Sequence, residues 1–207
     1  MRPRITLIAQ GTSRGLRAAS FGSDDGLDEI GRREAADLAR MLPKVDRAMV
    51  SPGAAARQTA EVLGLDATVD ERLRDCNYGR WQGLKFNQVL LREPRKLVSW
   101  IRHPETAPHG GETIPQVIAR VSGWMRELTR LEGHTVAVTH SAVIRAAVVH
   151  VLEAELRSFW RVDVVPLAFA DLRTNGRRWV LRSLAVPQIE EPEDVASSDE
   201  SQSVGQE

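Results

Sequence analysis

The stretch Leu7-Ile8-Ala9-Gln10-Gly11-Thr12-Ser13 decides how the rest of this 207-residue chain is interpreted. It begins inside an apolar run, Ile5 to Ala9, that is typical of a fully buried strand, and it continues as a Gly-containing polar loop. Far downstream, Val138-Thr139-His140-Ser141 repeats the same order of strand and polar loop. Because ligands collect at the carboxyl ends of parallel strands, these two loops are the first candidates for a functional site.

Short apolar runs alternate with helical patterns along most of the chain. A helical repeat of apolar residues extends from Ile30 to Leu42, and a strand at 48–50 leads into an Ala-rich helix at 54–63. A long amphipathic helix starting at Ile114 then precedes a strand at 135–139 and a helix at 142–152. This alternation predicts an α/β fold, a three-layer α/β/α sandwich around a mostly parallel sheet.

The last predicted elements form a β-hairpin. Two strands, at 168–173 and 178–184, flank Asn175-Gly176, a pair that favours the positive φ angles of a type I′ turn. The hairpin should place an antiparallel strand at one edge of the sheet. Residues 66–113, by contrast, show the least regular pattern, and an insertion of this kind usually covers a site as a lid or specificity region.

The composition indicates a folded basic body and a separate acidic end. Hydrophobic residues make up 42% and charged residues 27% of the chain, which is ordinary for one soluble globular domain. Seven of the 28 acidic residues lie at 188–207, where Lys and Arg are absent, so residues 1–187 carry a net charge of about +7. We expect one domain at 1–187 and a disordered acidic tail at 188–207, for which protein binding and no function both stay open.

Several classes of function are disfavoured. No run approaches the roughly 20 apolar residues of a membrane span, and residues 1–4 lead directly into a strand, so we expect a cytoplasmic protein without membrane attachment. Arginines spread over several predicted elements, with few aromatic residues, disfavour nucleic acid as a partner. The single Cys76 has no second cysteine to pair with and is interpreted as a structural thiol; we predict no metal or other cofactor.

An ordered series of motifs resembles the histidine phosphatase (phosphoglycerate-mutase-like) superfamily from Ile5 to about Leu184. Residues 27–31 are similar to the family's Leu-Thr-x-x-Gly, and residues 51–60 resemble Ser-Pro-x-x-Arg-x-x-Gln-Thr-Ala with a shifted spacer. Further matches are residues 73–83 to Leu-x-Glu-x-x-Phe/Tyr-Gly-x-Trp-Glu-Gly, residues 111–113 to Gly-Glu-Ser, and residues 138–145 to Val-Ser-His-Gly-Gly-Val-Ile-Arg. The resemblance implies this family's fold and a phosphate-binding pocket.

The resemblance also implies site residues. In the family, the His of an Arg-His-Gly loop is phosphorylated, a second His and two Arg residues bind the phosphoryl oxygens, and a carboxylic acid protonates the leaving oxygen. Carried over, His140 is the second His, Arg57 is one Arg clamp, and Asp75 is the acid, one methylene shorter than the family's Glu. Gln10 and Gly11, in the altered loop, complete the predicted phosphate-binding set.

The nucleophile and the first clamp do not carry over, because Ala9 and Gln10 stand where the family has Arg and His. A Gln amide is a very poor nucleophile with no titratable proton near neutrality, so a phosphohistidine at position 10 is excluded. Losing a catalytic nucleophile costs on the order of a million-fold in rate, whereas a Gln amide still donates hydrogen bonds to an anion. The sequence therefore predicts a protein that binds a phosphorylated small molecule, or a protein partner, without efficient catalysis of the family's type.

Two further interpretations stay open from the sequence. An active phosphomonoesterase could use His140, His109 or an activated water as its nucleophile, with Arg14 and Arg17 replacing the missing clamp. A non-hydrolytic enzyme could have kept the pocket and given up phosphorus chemistry. The sequence identifies neither the ligand nor the oligomeric state.

Overall fold

The computed structural model describes residues 2–43 and 45–186, so the predicted tail at 188–207 lies outside the described residues. Its strands are β1 (Arg4–Ala9), β2 (Arg47–Val50), β3 (Ala67–Val69), β4 (His134–Thr139), β5 (Phe169–Thr174) and β6 (Trp179–Ala185). Its α-helices are α1 (Arg14–Arg17), α2 (Glu29–Ala39), α3 (Ala54–Val62), α4 (Phe86–Arg92), α5 (Pro94–Arg102), α6 (Ile114–Leu128) and α7 (Ser141–Val151). Short 3-10 segments lie at Glu71–Leu73, Gly79–Trp81 and Leu156–Arg161.

The strands form one sheet in the order β3-β2-β4-β1-β5-β6. Strands β1 to β4 are parallel where they pair, while β5 runs antiparallel to β1 and β6 antiparallel to β5. The predicted parallel sheet with an antiparallel hairpin at one edge is confirmed. Because Ala9 is in register with Thr139, Gln10 and His140 leave neighbouring strands at the same end of the sheet.

Helices cover both faces of the sheet and create two hydrophobic cores. One core contains Leu7 of β1 together with α6 and α7 residues such as Val121 and Ile144. The other contains Ile8 of β1 and the helices α2 and α3. Successive side chains of a strand point to opposite faces, so neighbouring apolar residues supply both cores and every residue of β1 after Arg4 is buried. The predicted three-layer α/β/α sandwich is confirmed.

The hairpin turn differs from the predicted type. Thr174 pairs with Trp179, which leaves a four-residue loop instead of two residues. Within that loop only Gly176 has a positive φ, 92°. Asn175 instead organises the loop through its side chain, whose Oδ1 accepts a hydrogen bond from the Arg177 amide at 3.1 Å. A type I′ turn needs two consecutive residues with positive φ, and Asn175 does not have one. The prediction of a type I′ turn is therefore wrong, and the Asn175 side chain stabilises a longer loop instead.

The region 66–113 is more regular than its pattern indicates, since it contains β3, α4 and α5. An aromatic cluster stabilises it: the ring of Phe21 lies 5.4 Å from those of Tyr78 and Trp81, and Trp81 lies 5.8 Å from Trp100. The helices α4 and α5 are short and adjacent, with Pro94 at the first position of α5. Helices this short contain too few turns to show a clear helical period, and the aromatic residues that pack the region lie far apart in the sequence.

Candidate functional site

His140 occupies the position between β4 and α7, with its side chain 11% exposed. Its Nε2 lies 2.7 Å from the hydroxyl of Ser51, a fully buried residue that follows β2. The Ser51 oxygen also accepts the Gly53 amide at 3.2 Å. When the hydroxyl donates to Nε2 of a neutral imidazole, the ring proton is on Nδ1, which here lies 3.9 Å from Asp75 Oδ2.

The surroundings of His140 favour the uncharged form of its ring. Burial lowers its pKa, although the carboxylates of Asp75 and Asp24 act in the opposite direction. Asp75 is held in place by the Cys76 amide, which donates to its Oδ1 at 2.8 Å. The structure therefore brings the predicted residues His140 and Asp75 together, but His140 contributes hydrogen-bonding groups without a positive charge.

These side chains line a cavity of about 460 Å³, which we call the polar pocket. Two carboxylates belong to it, those of Asp24 and Asp75. Asp24 caps α3, since its Oδ1 accepts the Ala54 amide at 2.7 Å and so occupies a helix N-terminus that attracts anions. Arg74 also lines the pocket, but its guanidinium forms an ion pair with Glu112 at 2.9 Å. Within the described ranges, no unpaired cation lines the polar pocket.

The altered loop after β1 is held by its backbone. The Gln10 amide donates to the Thr139 carbonyl at 2.7 Å, which fixes Gln10 beside the strand that leads to His140. The Gly11 amide, a predicted phosphate donor, is already bonded to Thr59 Oγ1 at 2.9 Å. Neither Gln10 nor Gly11 is among the residues that line the polar pocket.

The predicted clamp Arg57 is exposed and does not line the polar pocket. The face of α3 that meets the altered loop carries Thr59, and Thr59 Oγ1 also donates to the Ala55 carbonyl one turn earlier. Since two positions along a helix correspond to about 200°, Arg57 points away from that face. Counted from Ser51 without a shift, the pattern Ser-Pro-x-x-Arg places its arginine on the buried Ala55. The structure therefore does not bring Arg57 to the polar pocket, and the unshifted count puts an alanine where the resemblance implies an arginine.

The alternative catalytic residues lie elsewhere. His109 is 1% exposed, its ring centroid lies 5.1 Å from that of Trp81, and its Nδ1 accepts the Gly111 amide at 3.0 Å. Burial lowers its pKa. Arg14 is exposed, and the guanidinium of Arg17 is bonded to Asp28 at the start of α2. None of these three side chains lines the polar pocket.

Three residues of the site were not predicted from the sequence as site residues: Ser51, Asp24 and Glu112. Glu112 accepts hydrogen bonds from Arg74 (2.9 Å) and from the Asn77 amide (2.9 Å), so it fixes the loop that carries Asp75. A serine at a strand end and a carboxylate in a turn are both visible in the sequence. Their convergence on His140 depends on long-range packing, which no local pattern encodes.

No helix in residues 2–43 and 45–186 combines the length and apolar character needed to span a membrane. Over the same ranges, no cluster of three or more His, Cys, Asp or Glu side chains could hold a metal ion.

Comparisons with known proteins agree with this architecture. A model of the histidine phosphatase superfamily (branch 1) matches residues 11–187. Phosphoserine phosphatase 1 of Hydrogenobacter thermophilus is 26% identical over 172 residues, which cover 79% of this chain and 82% of that protein. A bifunctional protein of Mycobacterium tuberculosis is 30% identical over 186 residues, covering 84% of this chain and 51% of the relative, so this chain matches about half of that protein's length. A solved structure of a mycobacterial glucosyl-3-phosphoglycerate phosphatase in complex with VO3 has a TM-score of 0.78 at 27% identity, covering 87% of this chain and 96% of that chain.

Proposed function

The chain belongs to the histidine phosphatase superfamily, and we propose that it is a ligand-binding member that forms no phosphohistidine and does not turn over phosphate monoesters by the family's route. The charge of the polar pocket is the observation that carries this proposal. Asp24 and Asp75 both act on His140, while the one lining arginine in the described ranges, Arg74, is paired with Glu112. A pocket of this charge lacks the groups that phosphoryl transfer requires.

Electrostatic magnitudes argue against a phosphate group in this pocket. A carboxylate about 4 Å from one phosphate charge raises the energy by about 1 kcal/mol in water and about 4 kcal/mol at an effective dielectric constant of 20. Each hydrogen bond from an arginine clamp would contribute about 1.5–3 kcal/mol in the opposite direction, but both clamp positions hold alanine. The phosphorylated ligand predicted from the sequence is therefore disfavoured at this site.

The remaining groups of the polar pocket suit a ligand with hydrogen-bond donors. The carboxylates of Asp24 and Asp75 are acceptors, and the volume of about 460 Å³ is in the range of small-molecule sites. We therefore expect a neutral or cationic small molecule that carries hydroxyl or amine groups. The relatives named phosphatases support the fold, and the substrates in their names are said of those proteins only.

Turnover assays test the absence of catalysis. We expect the wild type to hydrolyse neither p-nitrophenyl phosphate nor phosphoserine above background. A restored variant carrying Ala9→Arg, Gln10→His, Ala55→Arg and Asp75→Glu should gain phosphatase activity. Adding Arg57→Ala to the restored variant should leave that activity unchanged, because Arg57 lies on the far side of α3. Metal-independent turnover by the wild type at about 1 s⁻¹ or faster would overturn the proposal.

A thermal-shift screen tests the ligand class. A ligand at a hundred times its dissociation constant adds about 2.7 kcal/mol to the free energy of unfolding. For a chain of this size that raises the melting temperature by about 5–11 °C. We expect such shifts with polyols or amines, and smaller shifts for the Asp24→Asn variant. Shifts confined to phosphate monoesters would refute the proposed ligand class.

A further inference from the structure

A second cavity, of about 340 Å³, borders the polar pocket and shares Cys76 with it. We call it the aromatic cavity, because most of its wall comes from six aromatic side chains: Phe21, Tyr78, Phe86, Trp100, Phe159 and Trp160. Its volume is in the range of sites that hold small molecules. Among the residues that the structure describes, no carboxylate belongs to its wall, and Arg145 is the one cationic residue there. The two neighbouring cavities therefore have opposite charge character.

Two indole groups of the aromatic cavity lack hydrogen-bond acceptors. Trp100 is 5% exposed, and its Nε1 is buried without a partner in the described part of the protein. Trp160 Nε1 is in the same situation, and the centroids of the two rings lie 4.4 Å apart. Because both Nε1 atoms are buried within the protein, a molecule in the cavity does not reach them. Trp100 and Trp160 therefore contribute the apolar surfaces of their rings to the cavity wall.

Arg145 adds a positive charge that the protein itself leaves unbalanced. Its Nε donates to the Val162 carbonyl at 2.8 Å, and its guanidinium carbon lies 6.0 Å from the ring of Phe159. No carboxylate among residues 2–43 and 45–186 forms an ion pair with it. Burial raises the pKa of Tyr78, which also lines the cavity, so its phenol stays neutral. Tyr78 therefore supplies no negative charge that would balance Arg145.

We propose that the aromatic cavity is a second ligand site and that it takes an aromatic carboxylate. The aromatic walls receive the ring of the ligand, while the guanidinium of Arg145 receives the carboxylate. The planar guanidinium forms bidentate hydrogen bonds with a carboxylate, and its single positive charge balances the single negative charge of that group. This assignment stands on the aromatic cavity alone and holds whatever occupies the polar pocket.

Titration with 2-naphthoate, followed by calorimetry and tryptophan fluorescence, tests the proposal, with the neutral 2-naphthamide as the matched ligand. We expect saturable binding of 2-naphthoate and binding of the amide that is weaker by about tenfold or more, since a hydrogen bond to a charged group contributes about 1.5–3 kcal/mol. Arg145→Gln should remove the preference for the carboxylate. Arg157→Gln, an exposed arginine with an ion pair to Glu155, is the control and should leave the preference unchanged.

Two further variants keep the test decisive if Arg145→Gln does not fold. Trp160→Ala removes part of the aromatic wall, and Ile101→Trp fills the cavity from a partly exposed position. Both should weaken 2-naphthoate binding severalfold, whereas Asp24→Asn in the polar pocket should not. Absence of binding, equal affinity for the amide, or binding that neither variant changes would overturn the proposal. These outcomes are separate from the turnover assays on the polar pocket.

Discussion

The substitution Glu112→Gln should destabilise the protein far more than the loss of an exposed carboxylate does. Glu112 accepts hydrogen bonds from Nε and Nη2 of Arg120, each at 3.0 Å, and also from Arg74 and from the Asn77 amide. The side chains of Glu112 and Arg120 are only 13% and 9% exposed. In the variant, the buried Arg120 keeps backbone acceptors, among them the Arg72 carbonyl at 2.6 Å, but no carboxylate.

The expected loss in the free energy of unfolding follows from the burial of the Glu112–Arg120 ion pair. Removing one partner of a buried ion pair costs about 3–5 kcal/mol, and we expect the lower end because glutamine retains the volume and one acceptor. A loss of about 3 kcal/mol lowers the melting temperature of a chain of this size by about 6–12 °C. The control is Glu127→Gln, which breaks a surface pair with Arg72 from a side chain that is 66% exposed and should cost about 0–1 kcal/mol.

Calorimetric melting and urea unfolding of both variants measure the difference, and acidification provides a second readout. Burial alone would raise the pKa of Glu112, but hydrogen bonds from Arg120 and the Asn77 amide lower it overall. The stabilisation is therefore present above about pH 4.5, where the unfolded carboxylate is ionised, and is lost as the pH falls. The difference in melting temperature between the wild type and Glu112→Gln should become smaller as the pH is lowered. Equal melting temperatures for the two variants, or a gap that does not narrow, would refute this reasoning.

Three further predictions concern the buried histidines and the glycines. Asp75→Asn should lower the pKa of His140 further, because the carboxylate favours the charged ring; an NMR titration that shows an unchanged or raised pKa contradicts this. Since burial lowers the pKa values of both His140 and His109, the free energy of unfolding should fall as the pH drops below about 6.5, and denaturant curves at pH 5 and 7 that coincide would exclude it. Gly79→Ala should destabilise by about 1 kcal/mol or more, because φ is 50° and the new Cβ would lie 2.3 Å from the His109 carbonyl, whereas Gly123→Ala in α6 meets no atom within 4 Å and should stabilise by about 0.5–1 kcal/mol.

The layout of the sheet could be predicted because its signals are local. Apolar runs such as Ile5 to Ala9, followed by amphipathic helices, leave a period that indicates each element and its neighbour. Parallel strands then bring their carboxyl ends together, which places Gln10 beside His140. The sequence itself gives glutamine at position 10, and the absence of phosphohistidine chemistry there stays a prediction.

The electrostatics of the site could not be predicted, because they depend on contacts between distant segments. Asp24 belongs to a turn thirty residues before the helix that it caps, and Ser51 meets His140 across 89 positions of the chain. The sequence alone predicts Arg57 as the clamp, because it is the one arginine in residues 51–60. The helical register decides between Arg57 and Ala55, and it places the charged side chain on the exposed face.

Calorimetric titration of the wild type with orthovanadate, an analogue of the transferring phosphoryl group, tests most directly whether the polar pocket still holds phosphate. We predict no saturable binding below about 1 mM, which corresponds to about −4 kcal/mol, and binding at much lower concentration by the variant with Ala9→Arg, Gln10→His, Ala55→Arg and Asp75→Glu. Micromolar binding of vanadate by the wild type, lost on His140→Ala, would contradict the account.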